Sequence, residues 1–277
     1  MAGEHETTHG TGGAMANLTL GFIGYGNMAQ AIAQGLVASG QLAGDHIVAC
    51  AAHYDKLLHT VQELGARALH SAQEVVEAAD MVVVAVKPYQ IEQVLAPVKA
   101  TVAQPGKMLL SIAAGWTLDQ YQELLGEQAS IQCVIPNTPI AVGQGVLVTE
   151  TANSYSEEQR LLFESLFAPI SLIERVDSQY MGIGSSVAGC GPAFAEIFLE
   201  ALGDAGVKYG LQRQTAYRLA AKMIEGVGAL YMETGAHPGA LKDAVCSPGG
   251  TTIRGVSALE MAGFRGAVIS AVDAIQE

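Results

Sequence analysis

The chain has 277 residues, half of them apolar and only 15% charged, which allows a sizeable buried core and excludes global disorder. Its formal charge of −13 argues against a nucleic-acid partner, which needs a Lys/Arg surface, yet leaves room for an anion at a local patch or helix N-terminus. Four cysteines, Cys50, Cys133, Cys190 and Cys246, stand far apart without a C-x-x-C pair. Neither a metal site nor a disulfide framework is expected from them, and a reducing cytosol is the expected compartment.

In chain order, residues 1–16 are polar, Gly/Thr-rich and lack the apolar stretch of a signal peptide. They are read as a disordered leader, with Met15 available as a start. Residues 18–23 (LTLGFI) then form a short buried strand, followed by a Gly-rich turn and a helical run over 28–39. A second strand is expected over 46–51 and a second helix over 54–64. The continuous apolar runs 81–86, 108–112 and 131–135 have strand length, with helices over 90–99 and 118–125 between them. Such strands alternating with helices imply a parallel sheet covered on both faces. Beyond Asp177 the strand signals stop. Phe194, Ile197, Phe198, Ala201 and Leu202 share one helical face, and 216–232 and 256–275 have similar periods. Glu196 and Glu200 interrupt the most apolar helical region, so no membrane span is expected. The expected division is 17–177 as an α/β dinucleotide-binding domain and 178–277 as an all-helical domain.

Gly24-Tyr25-Gly26-Asn27-Met28-Ala29 matches G-x-G-x-x-A between a strand and a helix. Gly24 permits the tight turn, Gly26 lets backbone approach a pyrophosphate, and Ala29 allows close helix–strand packing. The bland alternative is an ordinary tight β–α connection. An NAD enzyme commonly carries an acid at the tip of the second strand to bind the ribose 2′-hydroxyl. Here the tip reads Ala51-Ala52-His53-Tyr54-Asp55-Lys56, without an acid at the strand end. His53 and Lys56 are placed to face a 2′-phosphate, which favours NADPH. The alternative leaves both as solvated loop residues, with Asp55 as ribose ligand and NADH as cofactor.

Cys246-Ser247-Pro248-Gly249-Gly250-Thr251-Thr252 bends the chain sharply before a new helix, a second anion cradle sized for a small carboxylate. Judged locally, a plain helix–helix connection with a Thr cap explains it equally well.

These segments, with Val86-Lys87-Pro88, Ala113-Ala114-Gly115, Pro136-Asn137-Thr138-Pro139, Gly189-Cys190-Gly191-Pro192 and His237-Pro238-Gly239, stand in the order that resembles the pyrroline-5-carboxylate reductase family. The resemblance runs from Leu18 to the C-terminus. It departs at Cys190, where Ser is common, at Ile135, where Met is common, and at the second-strand tip, which lacks the usual Asn-Arg-like pair. The resemblance implies a Rossmann-like α/β domain followed by an all-α dimerisation domain. It further implies hydride reduction of 1-pyrroline-5-carboxylate to L-proline. By the same resemblance Ile23, Gly24, Tyr25, Gly26, Asn27 and Met28 hold the pyrophosphate. Ala85, Val86, Lys87 and Pro88, with Ala113, Ala114 and Gly115, line the nicotinamide. Backbone N–H groups of Gly249, Gly250, Thr251 and Thr252, with Ser247 beside them, hold the substrate carboxylate, and the Thr252 hydroxyl lies near the ring nitrogen. The chain is then a homodimer or ring of dimers, its site shared with a partner's helices.

Three further expectations are open to test. Lys87 is read as contacting the cofactor or capping a helix rather than acting as a general acid. Cys190 and Cys246 are read as buried small residues rather than nucleophiles. The rivals are another imine or 3-hydroxyacid reductase, which calls for a catalytic Lys in the helical half, and a non-catalytic dinucleotide-binding regulator, which needs no second anion turn.

Overall fold

A computed structural model describes residues 18–277, so the expected leader over 1–16 lies outside the described residues. Contacts divide the chain into two units, one ending at Gly189 and one spanning Cys190–Glu277.

The first unit is an eight-stranded sheet of order β3-β2-β1-β4-β5-β6-β7-β8. Strands β1 (Leu20–Ile23), β2 (Ile47–Cys50), β4 (Met81–Val84) and β5 (Met108–Ser111) are buried along their whole length. That is why they read as unbroken apolar runs rather than alternating ones. Helices α1 (Asn27–Ala38), α2 (Tyr54–Gln62) and α3 (Ala72–Ala78) follow β1, β2 and the two-residue β3 (Arg67–Ala68). Two apolar clusters form the core, one around Phe22, Ile32, Leu36 and Phe163, the other around Val75, Val82, Leu95 and Tyr121.

The sheet is not wholly parallel. Strands β6 (Ile131–Pro136) and β7 (Gly145–Asn153) pair antiparallel, and β7 then pairs parallel with β8 (Ser171–Val176) across a helix at Glu157–Phe167. The short 3₁₀ stretch Thr138–Val142 turns the chain back instead of crossing over a face, and that reverses the strand direction. The expected helix over 90–99 is also broken, into a 3₁₀ turn at Pro88–Gln90, a helix at Ile91–Leu95, a second 3₁₀ turn and a helix at Lys99–Val102.

The second unit contains helices at Gly191–Lys208, Arg213–Thr234, Pro238–Ala244, Thr251–Met261 and Phe264–Gln276. The first two pack closely because Gly203 lies under the Tyr217 ring, where a Cβ would collide. The helix expected over 256–275 is two helices, bent by 46° at Gly263, whose φ of 77° a side chain rarely adopts. Apolar side chains in this unit stay open to solvent in the single chain, Ile197 being 67% exposed and Met261 85%. Such a surface marks an association face. One helical run, Ser178–Lys208, is long and apolar enough by length and composition to cross a membrane. Glu196 and Glu200 lie within this run, inside the helix Gly191–Lys208.

Candidate active site

Sheet register sets the level of the first cradle. Ile23 pairs with Cys50 on one side and Val84 on the other, and Val84 pairs with Ser111. The loops after β1, β2, β4 and β5 therefore leave one edge of the sheet at one height. Strand order also reverses between β1 and β4, and a ligand in an open α/β sheet sits at such a switch point. Thus Gly24–Met28, His53 and Lys56, Ala85–Pro88 and Ala113–Gly115 are brought to a common edge.

Each loop is held by backbone bonds. Gly24 N–H donates to the Cys50 carbonyl (2.9 Å), and Ala85 N–H donates to that of Ile23 (2.8 Å). Ile112 N–H donates to Val84 (3.2 Å). Gly24 has φ +89°, and a Cβ there would stand 2.5 Å from the Ala85 carbonyl oxygen, so no other residue fits without opening the turn. Gly26 is different. It caps α1 with φ −78°, and a Cβ on it would meet no protein atom within 4 Å. Protein packing does not demand that glycine, and its open side leaves room for the close approach of a ligand. The first turn of α1 has no acidic residue and no side-chain cap, so its N–H groups are available to an anion. The Gln30 amide braces the turn by donating to the Tyr25 carbonyl (3.0 Å). These features fit a dinucleotide.

Two residues of the loop contribute backbone only. Ile23 is buried, and the Tyr25 ring turns into the core edge-on to Phe22 at 5.5 Å. Burial pushes the Tyr25 phenol up to about 12, and its hydroxyl has no hydrogen-bond partner among the described residues. At the second-strand tip His53, Asp55 and Lys56 are all exposed. Lys87 is exposed as well, its backbone N–H donating to Gln90 Oε1 (3.3 Å). In the third loop Ala113 is buried, and its N–H donates to Ser111 Oγ (3.3 Å), which also bonds the Tyr121 hydroxyl (2.6 Å). Ala114 and Gly115 stay exposed, Gly115 with φ +81°.

The second cradle lies in the helical unit. Gly249 has φ +68°, Gly250 caps the helix Thr251–Met261, and Gly250 N–H donates to the Ser247 carbonyl (3.0 Å). A Cβ on Gly250 would stand 2.5 Å from Ser247 Oγ. Thr251 and Thr252 are exposed first-turn residues of a helix without acidic side chains there. The helix is capped by Gly250 without a side-chain bond, so Thr251 is not its cap, contrary to one sequence reading. The cysteine expectation also changes: Cys50 and Cys133 are the buried pair, while Cys190 and Cys246 are half-buried.

Sequence reasoning gave Asn137 no role. Its side chain is buried after β6, accepting from Val146 N–H (2.8 Å) and donating to the Ala188 carbonyl (3.0 Å). Ala188 lies in a π-helical turn, Ser185–Cys190, a rare geometry that leaves carbonyls to be satisfied from outside the helix. The signal was present in Pro136-Asn137-Thr138-Pro139, but an Asn between prolines reads as a turn.

Residues 178–277 match the family model described as pyrroline-5-carboxylate reductase dimerisation, and 19–115 match that of NADP oxidoreductase, coenzyme F420-dependent. The pyrroline-5-carboxylate reductase of Treponema pallidum is 42% identical over 261 residues, covering 93% of this chain and 98% of that protein. The enzyme of that name from Escherichia coli is 39% identical, covering 93% and 96%. The crystal structure of Plasmodium falciparum pyrroline carboxylate reductase with NADP bound superposes with a TM-score of 0.84 at 30% identity, covering 94% of this chain and 96% of that one. The structure of a pyrroline-5-carboxylate reductase from Coxiella burnetii gives 0.80, also at 30% identity, with shares of 94% and 96%.

Proposed function

Because the chain belongs to the pyrroline-5-carboxylate reductase family, we propose that it reduces 1-pyrroline-5-carboxylate to L-proline with NADPH. The observation that carries this reading beyond dinucleotide binding is the second cradle. Gly249 in the left-handed region and Gly250 at the cap, its own N–H held by the Ser247 carbonyl, lead into a helix N-terminus whose first turn lacks any acidic side chain. A planar carboxylate is the ligand such a turn suits.

When bound, the reduced nicotinamide supplies a hydride for the imine carbon. The chain's own residues do the rest. Gly26 to Met28 hold the pyrophosphate through backbone N–H groups, Gly24 shaping the turn with its own N–H engaged by the Cys50 carbonyl, and His53 and Lys56 face the adenosine 2′-phosphate. Ala85 to Pro88 and Ala113 to Gly115 shape the nicotinamide side. Backbone N–H groups of Gly249, Thr251 and Thr252 hold the substrate carboxylate, with Ser247 bracing the turn by accepting from Gly250 N–H. A protonated imine is already a strong electrophile, so a buried strong acid is not required, and neither cradle carries an acid within its anion-facing turn. The Thr252 hydroxyl orients the iminium N–H. Fixing both reactants in reach supplies several kcal/mol of barrier reduction.

The helical unit is the family's dimerisation region, and its exposed apolar faces are what a second copy covers. We assign a homodimer or ring of dimers, with each site completed by a partner's helices, in a cytoplasmic enzyme without a membrane role. Mixing the purified protein with NADPH and the cyclic imine, and following loss of nicotinamide absorbance, tests the reading. Turnover supports it; cofactor binding without turnover would leave a dinucleotide-binding protein instead.

A further inference from the structure

Beyond the loops just described, the cofactor edge carries one arrangement without an assigned task. Tyr54 and His70 stack face to face, with ring centroids 4.1 Å apart and planes 19° from parallel. Tyr54 opens α2 directly after the β2 tip, and His70 follows the short β3. Leu69 N–H donates to the Ala49 carbonyl (2.8 Å), so the ladder between β2 and β3 carries His70 up to that tip.

We infer that His70, held by Tyr54, donates to the 2′-phosphate of NADPH and is a determinant of cofactor choice, an inference that rests on the NADPH reading above. In a doubly wound sheet the adenosine ribose lies over the tip of β2, and a 2′-substituent projects from there. An exposed histidine ordinarily samples several rotamers. Stacking on Tyr54 removes that freedom and leaves the ring nitrogens at the rim, beside exposed His53 and Lys56. His70 is otherwise exposed, so its outer ring edge is open to a ligand. Glu74 Oε2 accepts from the backbone N–H of His70 (3.0 Å), which ties this carboxylate to the main chain beside the ring. His53, Lys56 and His70 then border one phosphomonoester, with Asp55 and Glu74 the acids nearby. A phosphate oxygen accepts from an imidazole N–H.

The test is fluorescence titration of the free enzyme with NADPH and with NADH, for the wild type, His70→Asn, Tyr54→Phe and Tyr54→Leu. His70→Asn is expected to weaken NADPH binding about fivefold to tenfold, the lower part of the range for charge-assisted hydrogen bonds because the site is exposed, and to leave NADH unchanged. Tyr54→Phe keeps the stack and the ratio of affinities, whereas Tyr54→Leu lowers the ratio toward that of His70→Asn. An equal loss for both cofactors overturns the inference, because it makes the stack a shelf for adenine. An unchanged ratio in His70→Asn overturns it too. A wild type that prefers NADH refutes the underlying NADPH reading instead, and that outcome is visible before any variant is made.

Discussion

The two glycines of the first loop separate a structural requirement from a ligand requirement, and one pair of substitutions distinguishes them. In Gly24→Ala the new methyl would stand 2.5 Å from the Ala85 carbonyl oxygen and 2.8 Å from its carbon, both backbone atoms that cannot swing aside. The residue is also held at φ +89°, a cost of about 1–2 kcal/mol for a side chain. Overpacking against backbone adds about 1–3 kcal/mol, so a loss of about 2–5 kcal/mol in folding stability is expected. In Gly26→Ala the backbone is already at φ −78° and no protein atom lies within 4 Å of the methyl. Only the poorer helix cap counts, at about 0.5–1 kcal/mol. Its effect falls on the ligand, whose pyrophosphate can no longer reach the helix N–H groups, and NADPH affinity should drop more than tenfold. Chemical denaturation and NADPH titration of both variants give the two readouts. Unaltered NADPH affinity in Gly26→Ala would refute the argument that this backbone meets the pyrophosphate.

Four other outcomes are expected. Asn137→Ala strands the Val146 N–H and the Ala188 carbonyl and should cost about 2–4 kcal/mol in denaturant unfolding; Asn137→Asp keeps the acceptor for Val146 but sets a buried carboxylate against the Ala188 carbonyl and should cost no less. Thr252→Ala should lower kcat/KM roughly 5- to 150-fold, for one lost hydrogen bond of about 1–3 kcal/mol, with NADPH affinity unchanged; Thr251→Ala should do less. Burial pushes the Cys50 thiol from 9.0 up to about 11, so the unfolded chain releases that proton first and stability should fall as pH rises from about 9 to about 11, a loss that Cys50→Ala should reduce in pH-dependent denaturation. Sedimentation should show no active monomer at assay concentration, since the helical unit leaves Ile197, Met261 and Ile269 open in the single chain.

The parts of the fold that were readable in sequence are those where burial is complete. Strands such as Met81–Val84 are apolar at every position because both faces are covered, and the glycine loop stands out because a backbone approach tolerates nothing larger. The stretch from Ile140 to Asp177 went unread for the opposite reason. Strand β8, SLIERV, is an edge strand with half-exposed side chains, and β7 mixes buried and exposed positions, so neither gives an unbroken run. Capping signals were nevertheless there. Ser156 accepts from Gln159 N–H and Ser71 from Glu74 N–H, and both patterns mark helices that periodicity missed. At the site, Gly249 and Gly250 were legible as a turn, but the Asn137 clasp joins residues 51 positions apart and the Tyr54–His70 stack joins two strands' ends. Contacts of that kind are set by sheet order, which local pattern does not encode.

The most direct measurement of the central claim is a product assay. Purified protein is incubated with NADPH and 1-pyrroline-5-carboxylate, and L-proline is quantified by chiral chromatography against NADPH consumed. The account predicts one L-proline for each NADPH oxidised, and a rate lowered roughly 5- to 150-fold in Thr252→Ala at cofactor saturation. NADPH binding with no proline formed above an enzyme-free control would contradict it.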